Sequence, residues 1–428
     1  MVIYVVQPND SLYKIARKYG VPPDEIRRVN QLDDFPYLVV GQALVLPTTE
    51  TAYTVQSGDT LIDIARRFGT TVDNILRLNP GVDPDRLQPG AVLRIPQSAG
   101  KYGFIETNAY IEPSTPERET AIVNQVGRYL TYISPFSYRV TNTGTLIGID
   151  DTAIRNTAKN YRVAPLMVVT NFAEGTFSTE IADTILESEA IQNTLINNMI
   201  PILREKGYYG VNIDFERISP ANRENYNNFL RKVVAALRPL NYVVSTALAP
   251  KASDYREGIW HGAHDYKAHG EIVDFVIIMT YEWGWSGGPA YAVAPVDLVE
   301  EVIKYAVSVI PSRKIMMGMP LYGYDWLLPF TPGRWAKRIS PQEAIRRAAE
   351  VGAQIRFDEQ TKSPTYKYYA SNGQEHEVWF EDARSIEAKL LLVNKYDLRG
   401  VSYWVLGISF PQNWIVLDNM YNIVKVVR

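Results

Sequence analysis

The stretch Gly210-Val211-Asn212-Ile213-Asp214-Phe215-Glu216 decides the fold of this chain of 428 residues. In an extended strand, every second side chain points to the same face. Asn212, Asp214 and Glu216 therefore share one face, and the apolar residues between them share the other. Because two unpaired carboxylates in a buried strand would cost free energy, the pattern indicates chemistry. Paired carboxylates are what glycosidic bond hydrolysis needs, one as a protonated acid and one as a charge that stabilises the cationic transition state.

Strand-like segments alternate with helical segments on both sides of this stretch. A helix is predicted after Ser188, which is a suitable N-cap, and Gly207 is expected to end it. Another helix is expected to open at Ser219-Pro220. The predicted strands lie at 103–105, 130–133, 166–171, 209–216, 243–247, 273–281, 314–321 and 400–404. Eight such β-α units within residues 101–428 predict a TIM barrel, a fold whose active site lies at the carboxyl ends of the strands.

The interval between the seventh and eighth predicted strands is long enough to hold an additional substructure. Three strand-like segments lie within it, at 355–357, 366–369 and 378–380. We therefore expect a small α+β insertion at about residues 326–382.

The first hundred residues contain an internal repeat in which the second copy follows the first by 49 positions. Each copy begins with an alternating strand, continues through two short helices with Ser11 or Thr60 as N-cap, and ends in a second strand. The predicted units are therefore two βααβ modules at residues 1–48 and 52–97. The positions that recur include Tyr4/Tyr53, Asp10/Asp59, Leu12/Leu61, Gly20/Gly69, Asn30/Asn79 and Pro47/Pro96.

These modules resemble LysM domains in their strand-to-helix segments 4–12 and 53–61, and in the closing Leu-Pro or Ile-Pro. The resemblance implies binding of N-acetylglucosamine-containing glycans such as peptidoglycan or chitin. It places the grooves at 10–13 with 29–33, and at 59–62 with 78–82. The alternative is that the repeated polar residues only cap helices and turns. The candidate binding residues are Asp10, Ser11, Leu12, Asn30, Asp59, Thr60, Leu61 and Asn79.

The segment 209–216 resembles the D-G-x-D-x-D-x-E motif of glycoside hydrolase family 18. The resemblance implies that Glu216 is the general acid/base and that Asp214 orients the substrate acetamide. Tyr209 and Asn212 stand where the family usually has aspartate. Because the second of these acids shares a proton with the orienting aspartate in the family, Asn212 should alter the pH profile more than the mechanism.

Three further segments resemble motifs of the same family. The segment 279–282, Met-Thr-Tyr-Glu, resembles M-x-Y-D and implies that Tyr281 hydrogen-bonds the acetamide oxygen, with Met279 and Glu282 at the sugar. The segment 318–323 resembles G-x-P-x-Y-G and supplies Tyr322. The segment 400–404 ends in Trp404, which the resemblance places as the floor of the cleavage subsite. A barrel with an inert site is the alternative, and the presence of Glu216 argues against it.

The mechanism that the resemblance implies retains the anomeric configuration and uses the substrate's own acetamide as nucleophile. No cofactor or metal is expected. A metal site at His261, His264 and His269 is imaginable, but the spacing is not a zinc-hydrolase pattern, and surface or loop histidines are the expected interpretation.

Composition excludes several other classes of function. The chain has no cysteine, so disulfides and thiolate metal sites are excluded, and with a net charge of -3 it has no basic block for nucleic acid. It has no apolar run long enough to span a membrane, and the segment after Met1 does not resemble a cleavable signal peptide. We expect a monomer.

Two LysM modules before a family 18 barrel resemble the domain order of bacterial spore cortex-lytic N-acetylglucosaminidases. That resemblance implies hydrolysis of spore peptidoglycan during germination, a location in the spore wall layers, and modules that anchor the enzyme without touching the chemistry. The alternatives are a chitinase and a non-catalytic glycan-binding coat protein.

Overall fold

The computed structural model describes residues 1–32, 37–48, 50–68, 70–84, 86–96 and 101–427. Asp33 of the first predicted groove, Gln97 at the end of the second predicted module and the C-terminal Arg428 lie outside these ranges. Within them the chain forms two small modules, a barrel and an inserted sheet.

The barrel consists of eight parallel strands that close into a ring. The strands are β1 Phe104–Ile111, β2 Tyr132–Pro135, β3 Ala164–Thr170, β4 Gly210–Asp214, β5 Val243–Leu248, β6 Phe275–Ile278, β7 Ile315–Pro320 and β8 Gly400–Trp404. Each strand pairs with the next, and β8 pairs with β1 through residues such as Ser402 and Asn108. The predicted TIM barrel is confirmed.

The alternation predicted for the fourth strand is present in β4. Val211, Ile213 and Phe215 pack outward in the core shared with the surrounding helices. Asn212 and Asp214 are also buried but lie on the opposite face. The strand therefore delivers polar groups to the inside of the barrel and uses its apolar groups to hold the helices.

Helices cover the outside of the barrel. Ser188 caps the longest one with its side chain, and Gly207 ends that helix in the left-handed conformation, as predicted. Ser219 opens a single 3-10 turn, Pro220–Asn222, before the next helix begins. The α-helices are Pro116–Val126, Thr152–Lys159, Thr179–Glu187, Glu189–Lys206, Arg223–Leu237, Tyr266–Ile272, Val296–Val309, Ala383–Lys395 and Pro411–Met420.

The inserted substructure follows β7 and is an antiparallel sheet of five strands with one helix, Pro341–Val351. Two of its strands, Gly323–Leu327 and Lys337–Ile339, were not anticipated, and the first begins directly after the 318–323 motif. The other three strands are Arg356–Asp358, Ser363–Tyr369 and Glu375–Trp379.

The two N-terminal modules have the predicted βααβ order. The second begins with a strand at Glu50, two residues before the expected boundary. The elements of the first are Val2–Val5, Leu12–Tyr19, Pro23–Asn30 and Ala43–Leu46, and those of the second are Glu50–Thr54, Leu61–Arg67, Val72–Leu78 and Val92–Pro96. Ser11 and Thr60 cap the first helix of each module with their side chains, as predicted.

The first module packs against the barrel and the insertion, which together form the catalytic unit. Ala43 and Val45 belong to the same apolar core as the barrel helices, and Val39 belongs to the core of the insertion. Hydrogen bonds join the Ile355 N–H to the Val40 carbonyl at 3.0 Å and the Arg384 guanidinium to the Gly41 carbonyl at 3.1 Å. This module is therefore docked on the catalytic unit, which the sequence did not indicate.

None of the helices in the described ranges has the length and apolar character that crossing a bilayer requires.

Candidate active site

The polar face of β4 opens into the mouth of the barrel. The amide oxygen of Asn212 accepts a hydrogen bond from the Tyr110 hydroxyl at 2.9 Å, and its nitrogen donates to the Ser245 hydroxyl at 3.1 Å. Asn212 is completely buried. Its amide therefore holds β1, β4 and β5 together, and the expectation that it binds substrate stays a prediction.

Asp214 lies further along the same face, and one of its carboxyl oxygens is buried with no hydrogen-bond partner among the described residues. An unpaired buried acceptor costs free energy. This oxygen is therefore available to accept a hydrogen bond from a bound ligand. The acetamide N–H of a bound N-acetylated sugar would satisfy it.

The backbone of Glu216 is held on both sides by one side chain. Asn171, which directly follows β3, accepts from the Glu216 N–H at 3.0 Å and donates to its carbonyl at 2.8 Å. A third bond joins Asn171 to the Ser178 carbonyl at 2.9 Å. Asn171 thus fixes the backbone position of Glu216 just after the end of β4.

A buried histidine, His264, fixes the backbone of Phe215, the residue before Glu216. The Ala249 N–H donates to Nδ1 of His264 at 2.8 Å, so Nε2 carries the proton and donates to the Phe215 carbonyl at 3.0 Å. Burial lowers the pKa of His264 to about 4, so the ring is neutral at pH 7. It acts as a fixed link between β5 and the end of β4.

The two carboxyls have strongly altered proton affinities. Burial raises the pKa of Asp214 to about 7. Burial and the nearby Asp214 charge raise the pKa of Glu216 well above its usual range, and the Arg217 guanidinium opposes this shift. Two carboxyls that interact strongly in a buried site lose their protons in two separate steps. A protonated Glu216 beside an ionised Asp214 is the state that general acid catalysis needs.

Tyr281 faces these carboxyls from the residues that follow β6. Its ring passes so close to Gly318 that a Cβ at that position would lie 2.8 Å from a ring carbon. Burial and the charges of Asp214 and Glu216 raise the pKa of Tyr281, which keeps its hydroxyl protonated. Met279, also expected at the sugar, is half-buried beside it and donates its N–H to the Leu248 carbonyl at 2.9 Å.

Glu282 is positioned by the start of the insertion. One of its carboxyl oxygens accepts hydrogen bonds from the hydroxyls of Tyr322 and Tyr324, the latter at 2.9 Å. Tyr322 is almost completely buried, so it supports Glu282 from behind. The expectation that Tyr322 itself contacts substrate stays a prediction. Glu282 remains at the exposed rim, where a sugar hydroxyl can reach its free oxygen.

Trp404 ends β8 and is half-buried. Edge-on contacts hold its ring, with centroids 5.5 Å from Tyr110 and 4.9 Å from Phe136. A half-buried ring held by such contacts is a suitable platform for a sugar, and the role expected for Trp404 stays a prediction.

The histidine cluster has a different structure from the one expected. His264 and His269 are buried. His264 lies in the loop before the helix Tyr266–Ile272, in agreement with the loop interpretation, whereas His269 lies within that helix, so the interpretation is wrong for His269. Both ring nitrogens of His269 lack a hydrogen-bond partner within the described chain, and its ring packs edge-on against Tyr226 with centroids 4.8 Å apart. The described residues contain no group of three or more side chains arranged to hold a metal ion.

The candidate glycan-binding residues of the modules have mainly structural contacts. Asn30 and Asn79 are buried, and their amides bind backbone groups of the closing strands at 2.6–2.8 Å. Leu61 is also buried, in the core of the second module. The contacts that the structure shows for these three residues lie within the modules, and their binding role stays a prediction. Leu12 is half-buried against the core of the first module.

The remaining module residues stabilise the loop after the first strand. Asp10 accepts from the Tyr4 hydroxyl at 2.6 Å, and Asp59 makes the equivalent bond in the second module. Ser11 and Thr60 cap helices, so the alternative of capping residues holds here. Two large apolar side chains in the first turns of these helices, Tyr13 and Ile62, are exposed and end the predicted groove segments 10–13 and 59–62.

Comparison with known proteins identifies the family of the chain. Residues 153–408 match the model of glycosyl hydrolases family 18, which covers more than half of the chain. The chain belongs to this family. Residues 4–47 and 53–96 match the LysM domain, so the protein is a glycoside hydrolase of family 18 with two LysM modules.

Several family 18 relatives share its architecture. The cortical fragment-lytic enzyme of Bacillus subtilis is 47% identical over 99% of both chains. The crystal structure of the Bacillus megaterium spore cortex-lytic enzyme SleL superposes with a TM-score of 0.92 at 41% identity, with 99% of each chain covered. A chitinase from Chromobacterium violaceum gives a TM-score of 0.67 at 27% identity, covering 74% of this chain and 98% of its own.

Proposed function

We propose that this family 18 enzyme is a retaining N-acetyl-β-D-glucosaminidase that cleaves the peptidoglycan of the spore cortex by substrate-assisted catalysis. One observation carries the proposal: Glu216 lies just after β4, a carboxyl oxygen of Asp214 at the end of β4 has no hydrogen-bond partner within the described residues, and Tyr281 faces both carboxyls. A proton donor beside a reserved acceptor suits a substrate with an acetamide next to the scissile bond.

In the first step, protonated Glu216 donates its proton to the glycosidic oxygen. The bond between that oxygen and the anomeric carbon breaks as the acetamide oxygen of the same sugar attacks the anomeric carbon. A cyclic oxazolinium ion forms, and the leaving sugar departs with the proton as an alcohol.

Asp214 and Tyr281 hold the acetamide during this step. The ionised Asp214 accepts the acetamide N–H and stabilises the positive charge of the ring, and the Tyr281 hydroxyl donates to the acetamide oxygen until that oxygen attacks. In the second step, the Glu216 carboxylate takes a proton from water, the water oxygen attacks the anomeric carbon, and the ring opens. Two inversions at that carbon give net retention.

The polymer is proposed from the relatives and the modules. The cortical fragment-lytic and cortex-lytic relatives match over 99% of this chain, and LysM domains suit a glycan polymer. We infer that the substrate is cortex peptidoglycan cut on the reducing side of N-acetylglucosamine, that the enzyme works during germination, and that it resides in the spore wall layers.

A Glu216→Gln variant tests the assignment of the catalytic acid. Since only the dissociable proton is removed, hydrolysis of purified cortex fragments should fall by about 10²–10⁴-fold, while binding to insoluble cortex should remain. Glu224→Gln, which changes an exposed carboxyl that is hydrogen-bonded to Arg231, is the matched control and should keep wild-type turnover. Similar activity in both variants would overturn the role of Glu216.

Product analysis distinguishes the alternatives. Mass spectra of cortex digests should show new reducing ends on N-acetylglucosamine. Faster cleavage of chitin oligomers than of cortex fragments would instead indicate a chitinase. An absence of products from every N-acetylated glycan would indicate a non-catalytic binding protein.

A further inference from the structure

Arg217, the residue directly after Glu216, has an unusual backbone conformation. Its side chain has no role in the reaction steps proposed above. Its φ is +55°, in the left-handed region that costs a non-glycine residue free energy. Such conformations are retained mainly at functional sites. Here the turn directs the guanidinium away from β4 and across the rim of the barrel.

Two groups position the guanidinium, and together they leave several of its hydrogen-bond donors without an acceptor among the described residues. One terminal nitrogen donates to the Thr176 hydroxyl at 3.1 Å. The guanidinium carbon lies 5.3 Å from the ring centroid of Trp260, which is half exposed. Nε is buried and makes no hydrogen bond within the described parts of the chain. Arginine has five donors, and the hydrogen bond to Thr176 uses one of them, so terminal N–H groups remain for a ligand.

The position of Arg217 places it on the leaving-group side of the scissile bond. In a closed ring of eight strands, β4 lies opposite β8, and β8 carries Trp404, the floor for the donor sugar. The acid at Glu216 reaches the glycosidic oxygen, so groups beyond it contact the sugar that departs. Arg217, Thr176 and Trp260 come from the segments that follow β4, β3 and β5, all on this side.

We propose that Arg217 binds a carboxylate on the leaving sugar, with Trp260 as the platform that holds the guanidinium. The acid is carried on a 3-O-lactyl arm, either as the lactyl carboxylate itself or as a carboxylate of an attached peptide. This inference rests on the proposed function and deepens it, because chitin has no acid at this position and peptidoglycan does. A planar guanidinium pairs with a carboxylate through two parallel bonds.

Four soluble substrates of equal sugar length test the proposal. All have N-acetylglucosamine on the donor side, and the leaving sugar is N-acetylmuramic acid with a free lactyl carboxylate, the same sugar with a stem peptide, muramic δ-lactam, or N-acetylglucosamine. Wild-type, Arg217→Ala and Arg217→Lys enzymes are compared by kcat/KM at the pH optimum of each. Arg231→Ala, which removes an exposed arginine on an outer helix, is the matched control.

Arg217→Ala should lower kcat/KM on the acid-bearing substrates by about 10-fold or more relative to the N-acetylglucosamine oligomer, mostly through KM. Arg217→Lys should lie between, since it keeps the charge without the planar pair, and the lactam should behave like the neutral oligomer. A selective loss on the free-acid substrate alone assigns the acid to the lactyl group, and a selective loss on the peptide-bearing substrate alone assigns it to the peptide. A loss on both shows that Arg217 binds either carboxylate.

An equal loss on all four substrates would overturn the inference, because the change in the pKa of Glu216 affects every substrate alike. A wild-type enzyme that cuts only the neutral oligomer would overturn it too. Wild-type enzyme inactive on all four substrates would overturn the proposed function itself.

Discussion

Replacing Gly41 by alanine should separate the first module from the catalytic unit. Gly41 has φ of +86°, and a Cβ at this position would lie 1.8 Å from the Ile355 carbonyl oxygen. The Cβ is attached rigidly to the backbone of residue 41, and the oxygen belongs to the backbone of Ile355. Neither can rotate away as the end of a long side chain could. The chains must move apart, and the contacts of the module with the insertion must open.

The repeat supplies a matched control for this change. Gly90 is the equivalent glycine of the second module, has φ of +88° and would meet nothing within 4 Å if it carried a Cβ. Gly90→Ala therefore adds only the conformational strain, about 1–2 kcal/mol. Gly41→Ala adds the same strain and also breaks the docking contacts.

The additional cost can be estimated from the contacts that open. The bond from Ile355 N–H to Val40 contributes about 1 kcal/mol, and the charge-assisted bond from Arg384 to the Gly41 carbonyl about 1.5–3 kcal/mol. Exposure of Val39, now buried in the core of the insertion, costs about 1.5–3 kcal/mol. We expect the catalytic unit to lose about 4–7 kcal/mol of unfolding free energy.

Tryptophan fluorescence during urea unfolding measures this loss selectively. All 8 tryptophans lie after residue 101, so the signal reports the barrel and insertion and not the modules. Gly41→Ala should lower the urea midpoint, and Gly90→Ala should leave it near the wild-type value. An unchanged midpoint in Gly41→Ala, or equal shifts in both variants, would refute the stabilising role of the docked module.

Other outcomes follow from the site. Asn171→Ala frees both backbone groups of Glu216, so kcat should fall by about 10²-fold with a smaller change in KM; unchanged kcat would show that the acid is positioned without it. The pH profile of kcat/KM should rise through about pH 7 as Asp214 ionises and fall at higher pH as Glu216 loses its proton, and an acidic limb near pH 4 would contradict the raised pKa of Asp214. Because the folded state binds more protons than the unfolded state between the ordinary carboxyl pKa and about 7, the raised pKa of Asp214 makes stability fall as pH rises through that window. Asp214→Asn should therefore raise Tm at pH 8 and leave it nearly unchanged at pH 4, as calorimetry would show. EDTA should not alter turnover, and restoration of lost activity by added metal would point back to the histidines.

The sequence by itself determined the features that depend on local periodicity. The alternation in β4, the caps at Ser11 and Ser188, and the left-handed stop at Gly207 follow from geometry within a few residues. The βααβ repeats and the eight barrel strands were recognisable for the same reason. Glu216 and Asp214 were identified because their spacing in one strand decides which face they share.

Only the tertiary structure decided which groups support that strand. Asn171 lies 45 positions before Glu216, and His264 lies 49 positions after Phe215. An isolated asparagine or histidine has no local pattern that names its partner. Barrel closure brings these groups together, because it places the ends of β3, β4 and β5 at one rim.

The same limit applied to Asn212, Tyr322 and the docked module. Motif position predicted that Asn212 and Tyr322 touch substrate, and only the packed structure showed which protein groups they also hold in place. The repeat made the two modules look equivalent, yet one glycine lies against Ile355 and its counterpart faces open space. Periodicity determines what each segment forms, and the packing of distant segments determines which of its surfaces remain free to act.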